Sequence, residues 1–190
     1  MCCRYYYNIS MARDILERLR IEDDGLALPE GEIGPMDRSL IVTGGEKGLA
    51  VKEAQWGFPA KGGLVINARV ETALTKPLFS SSVMYRRCVV PAIRFWEWDA
   101  NKNRVAFDDP ASEFMLLAGF WNMVYESLRF VVLTTEANAS VRAVHGRMPL
   151  ILGEDEARGW IEDLSEAQRL MKKDMPPLNR VAPFEQLSIF

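Results

Sequence analysis

The chain has one histidine and three cysteines among 190 residues, and that scarcity removes several chemistries at once. With His145 alone, a metal centre would have to lean on carboxylates, and no set of them stands at ligand spacing. Cys2, Cys3 and Cys88 form no CxxC pair and no even framework, so neither a structural zinc nor a disulfide scaffold is expected. No metal and no cofactor is anticipated. Long apolar runs are missing too: nothing approaches the roughly 20 residues of a bilayer span. The opening Met1-Cys-Cys-Arg-Tyr-Tyr-Tyr7 lacks the apolar centre of a signal peptide. These absences predict a cytoplasmic protein with no membrane partner. Repeats, linkers and low-complexity tracts are also lacking, and 190 residues suit one core better than two, so we expect a single, monomeric domain over residues 1–190.

An excess of positive charge is absent as well. The formal net charge is −3, which argues at first against a polyanion as partner. The distribution changes that reading. Residues 1–37 carry 4 basic and 8 acidic side chains and residues 151–190 carry 5 and 8, leaving 14 against 10 between them. The middle of the chain is mildly basic, although an ordinary solvated surface would look much the same.

What is present is mostly strand-forming sequence. Ser10 to Arg20 reads as a helix, with Met11, Ile15, Leu16 and Leu19 on one face and Ser10 as N-cap. Asp23 to Met36 reads as a loop. The spacing then predicts strands over Leu40–Thr43, Ala50–Trp56, Leu64–Ala68, Cys88–Trp98, Arg104–Phe107, Phe114–Trp121, Phe130–Thr134 and Met148–Leu152, with a hairpin turn at Asn101-Lys-Asn103. Helices follow over Glu154–Leu164 and Ser165–Met171, stopped by Pro176-Pro177. The sum is an α+β fold built on a curved, barrel-like, mainly antiparallel sheet with peripheral helices.

Cys2 becomes the N-terminal residue if Met1 is trimmed, which places an amine and a thiol on adjacent carbons. An amine with a pKa near 8 and a thiol near 8.5 are both usable nucleophiles at neutral pH. The pair suits an aldehyde, since the amine condenses to an imine and the thiol closes a five-membered thiazolidine. A small apolar residue near a frayed end is the plainer alternative. In Arg94-Phe-Trp-Glu-Trp-Asp99, alternation puts Glu97 with Phe95 on one face and Trp96 with Trp98 on the other. Burial there would raise the Glu97 pKa towards neutrality and suit proton transfer; a solvated edge is the alternative. Asn67 and Arg69 share a face of their strand, where an amide orients a substrate oxygen and a guanidinium holds phosphate, unless both simply end the strand. His145, in Ala143-Val-His-Gly-Arg-Met-Pro149, has the one side chain that titrates near neutrality without tuning, yet lone histidines are commonly structural. Trp56-Gly-Phe-Pro59 reads either as an aromatic loop that wedges between bases or as core. With Arg4, Arg69, Arg86, Arg87, Arg142 and Arg147 it would form a basic, aromatic surface of the kind that binds single-stranded DNA.

Together these segments resemble the SOS-response-associated peptidase family of abasic-site processing proteins. The resemblance is carried by Met1-Cys-x-Arg4, Trp56-Gly, Asn67-Ala-Arg-x-Glu71-Thr72, Arg87-Cys-Val-Val-Pro-Ala92, Phe95-Trp-Glu-Trp98, Leu133-Thr-Thr-x-Ala-Asn138 and His145-x-Arg-Met-Pro149, in that order over residues 1 to about 152. It implies a sheet-rich fold in which Cys2, Asn67, Glu97 and His145 converge as the catalytic group. Cys2 would bond to the ring-opened abasic site in single-stranded DNA, Asn67 would orient it, and Glu97 and His145 would share proton transfers. Arg4, Trp56, Arg69, Arg86 and Arg147 would be the DNA contacts, with the protein gathering at the nucleoid during damage. Peptidase and lyase activities are implied as well. Two other readings stay open: a thiol peptidase using Cys2 with His145, and a single-stranded DNA binder whose pocket does not react. The chain differs from the family pattern in Cys3 and Arg94, where glycines are usual, in a tryptophan loop one residue shorter, and in Ser80-Ser-Ser82 in place of an arginine-rich stretch.

Overall fold

The computed structural model describes residues 3–21, 30–46 and 48–181. In chain order it contains β1 (Arg4–Tyr7), α1 (Ile9–Leu19), β2 (Gly31–Ile33), β3 (Arg38–Gly45), β4 (Gly48–Trp56), β5 (Phe58–Ala60), β6 (Gly63–Val65), β7 (Asn67–Arg69), α2 (Val70–Ala73) and α3 (Ser80–Tyr85). These are followed by β8 (Arg87–Ala92), β9 (Arg94–Trp98), β10 (Arg104–Asp108), β11 (Met115–Val124), β12 (Ser127–Glu136), α4 (Ala139–Arg142), β13 (Arg147–Pro149), β14 (Ile151–Leu152), α5 (Glu154–Glu162), α6 (Leu164–Leu170) and β15 (Asn179–Val181).

The α+β, barrel-like architecture expected from sequence is what the chain adopts. Strands β4, β3, β8, β11 and β12 pair in that order, and β12 returns to β4 to close a five-stranded barrel. The closing seam is parallel, with Arg129 opposite Gln55 and Phe130 opposite Trp56. Closure removes the free edges that an open sheet would expose. Strands β7 and β13 extend the sheet beside the far half of β12. A second, wholly antiparallel sheet runs β15-β10-β9-β1-β2. One contiguous core, reaching from Tyr5 to Leu178 and including Trp56, Phe58, Phe95, Phe107, Phe120, Phe130 and Trp160, joins the barrel, this sheet and the helices. Among the described residues no helix is long and apolar enough to cross a membrane.

Several boundaries differ from the sequence expectation for identifiable reasons. The run Cys88–Trp98 is two strands, not one. In β8 all six residues are buried because both faces are covered, whereas β9 alternates buried and half-buried positions, so the chain leaves the barrel for the second sheet at Ile93. Leu64–Ala68 splits at Ile66 in the same way: β6 forms a hairpin with β5, and β7 pairs parallel with β12. Helix α1 is capped by Asn8 instead of Ser10, the Asn8 side chain accepting from the Met11 amide at 2.9 Å. Part of the expected loop Asp23–Met36 falls outside the described residues, and its latter part contains β2, which pairs with β1. The expected hairpin turn is present: the Asp99 carboxylate accepts from the amides of Asn101 and Asn103, while Lys102 takes φ 66°.

Candidate active site

Strand β9 carries Glu97 into the interior. Its neighbours Arg94, Trp96 and Trp98 face outward, while Phe95 is 0% and Glu97 1% exposed. This settles the choice left by the sequence, since Glu97 is not on a solvated edge. Burial pushes its carboxyl above the ordinary value, and neighbouring positive charge, including that of His145, partly offsets the push. The ring nitrogen Nδ1 of His145 lies 3.7 Å from Glu97 Oε1. The turn of α4 brings His145 there: its amide bonds the Val141 carbonyl at 3.0 Å, and the amide of Arg147 donates to His145 Nδ1 at 3.0 Å. The Arg147 carbonyl oxygen lies 3.1 Å from the same nitrogen, so both backbone groups of Arg147 address His145 Nδ1.

The N-terminal strand runs antiparallel beside β9, with Arg4 opposite Trp96 and Tyr5 opposite Phe95. That register carries Cys3 towards Glu97. Burial raises the Cys3 thiol pKa, and the Glu97 charge raises it further. Cys2 lies outside the described residues. Arg4 forms an ion pair with Glu32 at 3.6 Å, and Gly34 leaves its guanidinium room that a Cβ there would fill.

Asn67 is 8% exposed on β7, while Arg69, two residues on, is exposed. The two flank a cavity of about 420 Å³ whose lining adds Val65, Lys76, Leu78 and Phe79. Strand β12 stands between Asn67 and the histidine segment. Val132 pairs with Asn67 and Thr134 with Arg69 on one side, and Glu136 pairs with Arg147 on the other. Arg147 is heavily engaged: Nη1 and Nη2 bond the Glu71 carboxylate at 2.6 and 2.9 Å, and Nη2 also bonds the Thr134 carbonyl at 2.6 Å. The expected phosphate ligand thus already holds a carboxylate. Arg86 donates to the hydroxyls of Ser81 and Ser82, at 3.1 and 3.2 Å.

Trp56 requires correction. It is 0% exposed, so in this structure it is core and not a wedge that meets bases. Its indole N–H donates to the Ile66 carbonyl at 2.9 Å, its ring lies parallel to Phe130, and Tyr5 packs on it with centroids 5.2 Å apart. Trp56 therefore supports both the N-terminal strand and the residue preceding Asn67. Exposed apolar side chains close to it are Met36, whose amide bonds the Trp56 carbonyl at 2.9 Å, and Leu64, which faces Gly57. Gly57 turns the chain away at φ 110°, where any Cβ would collide with Leu64. Sequence reasoning also gave no role to Glu71, Lys76 or Cys3. Only Glu71 left a signal, lying two residues after Arg69 in the same motif. Among the described residues, no three His, Cys, Asp or Glu side chains gather as metal ligands would.

Comparison with known proteins agrees with the motif reading. The family model described as SOS response associated peptidase (SRAP) matches residues 1–186. The chain belongs to that family. Relatives include the abasic site processing protein YoaM of Bacillus subtilis (strain 168), 27% identical over 180 residues that cover 85% of this chain and 79% of YoaM. The abasic site processing protein YedK of Escherichia coli (strain K12) is 27% identical over 162 residues, 78% of this chain and 72% of YedK. Among solved structures, a protein of Bacteroides thetaiotaomicron superposes with a TM-score of 0.78 at 20% identity, over 94% of this chain and 90% of its own. A phage-related protein of Bordetella bronchiseptica gives 0.75 at 22%, over 96% and 94%. These two likenesses concern the fold alone.

Proposed function

We propose that the protein captures abasic sites in single-stranded DNA by covalent attachment through Cys2 once Met1 has been removed. The observation that carries this reading is a carboxyl at 1% exposure set 3.7 Å from a histidine nitrogen, beside the strand that leads back to Cys2. About 3.8 Å of chain separates the α-carbons of Cys2 and Cys3, and the Cys3 thiol lies within reach of the Glu97 charge. The naming of relatives as abasic site processing proteins supports the same substrate.

The chemistry balances without a cofactor. A ring-opened abasic sugar presents an aldehyde; the Cys2 amine adds to its carbon and water leaves, giving an imine. The Cys2 sulfur then bonds to the same carbon while its proton passes to nitrogen, closing a thiazolidine. Glu97, whose carboxyl pKa burial raises, gives a proton to the departing hydroxyl, and His145 takes one from the attacking amine. Asn67 orients the sugar, and Arg4, Arg69 and Arg86 hold flanking phosphates, while Arg147 stays paired with Glu71. The imine is also the intermediate that a lyase would use. In the cell we place the protein, as a monomer, in the cytoplasm, gathering at the nucleoid when DNA is damaged.

The test mixes Met1-processed protein with an oligonucleotide carrying one abasic site, and the same with Cys2→Ala, on a denaturing gel. A retarded band lost in the variant is expected. Absence of any band, or a band that Cys2→Ala retains, would contradict the proposal.

A further inference from the structure

We propose that Glu71 is a positioning residue for the candidate active site, acting through Arg147 on His145. The inference rests on the reading of Glu97 and His145 given above. Glu71 lies on α2, which follows directly from the strand carrying Asn67, whereas Arg147 opens β13, two residues after His145. The ion pair therefore ties together two parts of the site that are 76 residues apart in sequence.

Its geometry differs from an ordinary surface bridge. The guanidinium is the buried member, at 16% exposure against 50% for Glu71, and both terminal nitrogens are used. A third bond, from Nη2 to the Thr134 carbonyl, fixes the same group against β12. Bidentate pairing sets orientation as well as distance. The hydrogen-bonded Arg147 guanidinium, in turn, holds the Glu71 carboxyl below its ordinary value.

With the guanidinium held and β13 paired to β12 at Glu136, the Arg147 backbone is fixed too. Its amide is the donor to His145 Nδ1 at 3.0 Å, the atom that faces Glu97 Oε1 at 3.7 Å. Loss of the carboxylate leaves the guanidinium held by the Thr134 carbonyl alone and loosens that amide, so the imidazole is no longer held in one orientation against the carboxyl. Misplacement of a reacting group by about 1 Å costs on the order of a hundredfold in rate. Glu71 needs no contact with DNA to have this effect.

The experiment measures single-turnover adduct formation with an abasic oligonucleotide as protein concentration is raised, for wild type, Glu71→Gln and Glu71→Asp, with melting temperatures alongside. Glu71→Gln is expected to lower the saturating rate at least tenfold, while the half-saturating concentration stays within about threefold. Glu71→Asp, which keeps a carboxylate, is expected to recover most of the rate. An unchanged saturating rate in Glu71→Gln overturns the inference, as does an effect confined to half-saturation, which would make Glu71 a DNA-binding determinant. Equal loss in both variants, in step with their melting temperatures, also overturns it by reducing Glu71 to a stabilising residue. If wild type forms no adduct at all, the functional reading itself fails, and the inference falls with it.

Discussion

Replacing Arg87 by Leu should cost about 4 kcal/mol of stability, and the structure shows why. Arg87 is 5% exposed, and its guanidinium is bonded entirely to backbone carbonyls: Nε to Trp160 at 2.5 Å, Nη1 to Val83 and Met84 at 3.0 and 2.5 Å, and Nη2 to Ile161 at 3.0 Å. These carbonyls belong to the last turns of α3 and α5, where helices leave acceptors unpaired and the dipole favours a cation. One side chain of barrel strand β8 thus fastens two helices to the barrel. Three of these carbonyls lie in the interior, where each one stranded costs about 1–3 kcal/mol, so together they would cost about 3–9 kcal/mol, less whatever is regained by no longer burying the charge. For a chain of 190 residues a net loss of about 4 kcal/mol corresponds to a fall of roughly 8–16 °C in melting temperature. Circular dichroism melts and urea titrations of wild type, Arg87→Leu and Arg87→Lys give the answer. Lysine should recover only part of the loss, because a point charge cannot reach both helix ends. A loss under about 1 kcal/mol for Arg87→Leu would refute the reasoning.

Other expectations follow from the same structure. Trp56→Ala should destabilise the protein by about 3–5 kcal/mol, as large-to-small core changes do, and in chemical denaturation it should behave as a core variant; a near-neutral effect would restore the idea of an exposed wedge. Glu97→Gln should slow adduct formation without lowering the melting temperature at pH 8. The raised carboxyl pKa means that native Glu97 contributes most below the ordinary carboxylate range and loses that contribution as pH climbs, so an uncharged amide relieves a penalty at alkaline pH. A melting temperature well below wild type at pH 8 would contradict that assignment.

Much of the fold was legible because its elements obey simple periods. Met11, Ile15, Leu16 and Leu19 are all buried on α1, and Phe95 and Glu97 do alternate with the outward tryptophans. What was missed turns on long-range context. The break at Ile93 coincides with a change from continuous to alternating burial, visible in the sequence as Cys-Val-Val-Pro-Ala-Ile followed by Arg-Phe-Trp-Glu-Trp, but only a second sheet gives that change meaning. Helices as short as α2 and α4 hold too few residues to show a period. At the candidate site, motif order pointed to Glu97 and His145, and they meet. Trp56 was misjudged because an aromatic beside a glycine turn looks alike in a core and on a loop. Glu71 was passed over because its partner lies in a distant part of the chain, and ion pairs leave no local pattern.

The most direct test of covalent capture counts thiols in the adduct. Met1-processed protein is reacted with an abasic oligonucleotide, denatured, and alkylated, and the intact mass is compared with that of free protein treated alike. Formation of a thiazolidine predicts a mass equal to protein plus DNA less one water, with two of the three cysteine thiols still alkylated and Cys2 unmodified. An adduct with all three thiols alkylated would show an imine without ring closure, and no adduct at all would contradict capture through Cys2 altogether.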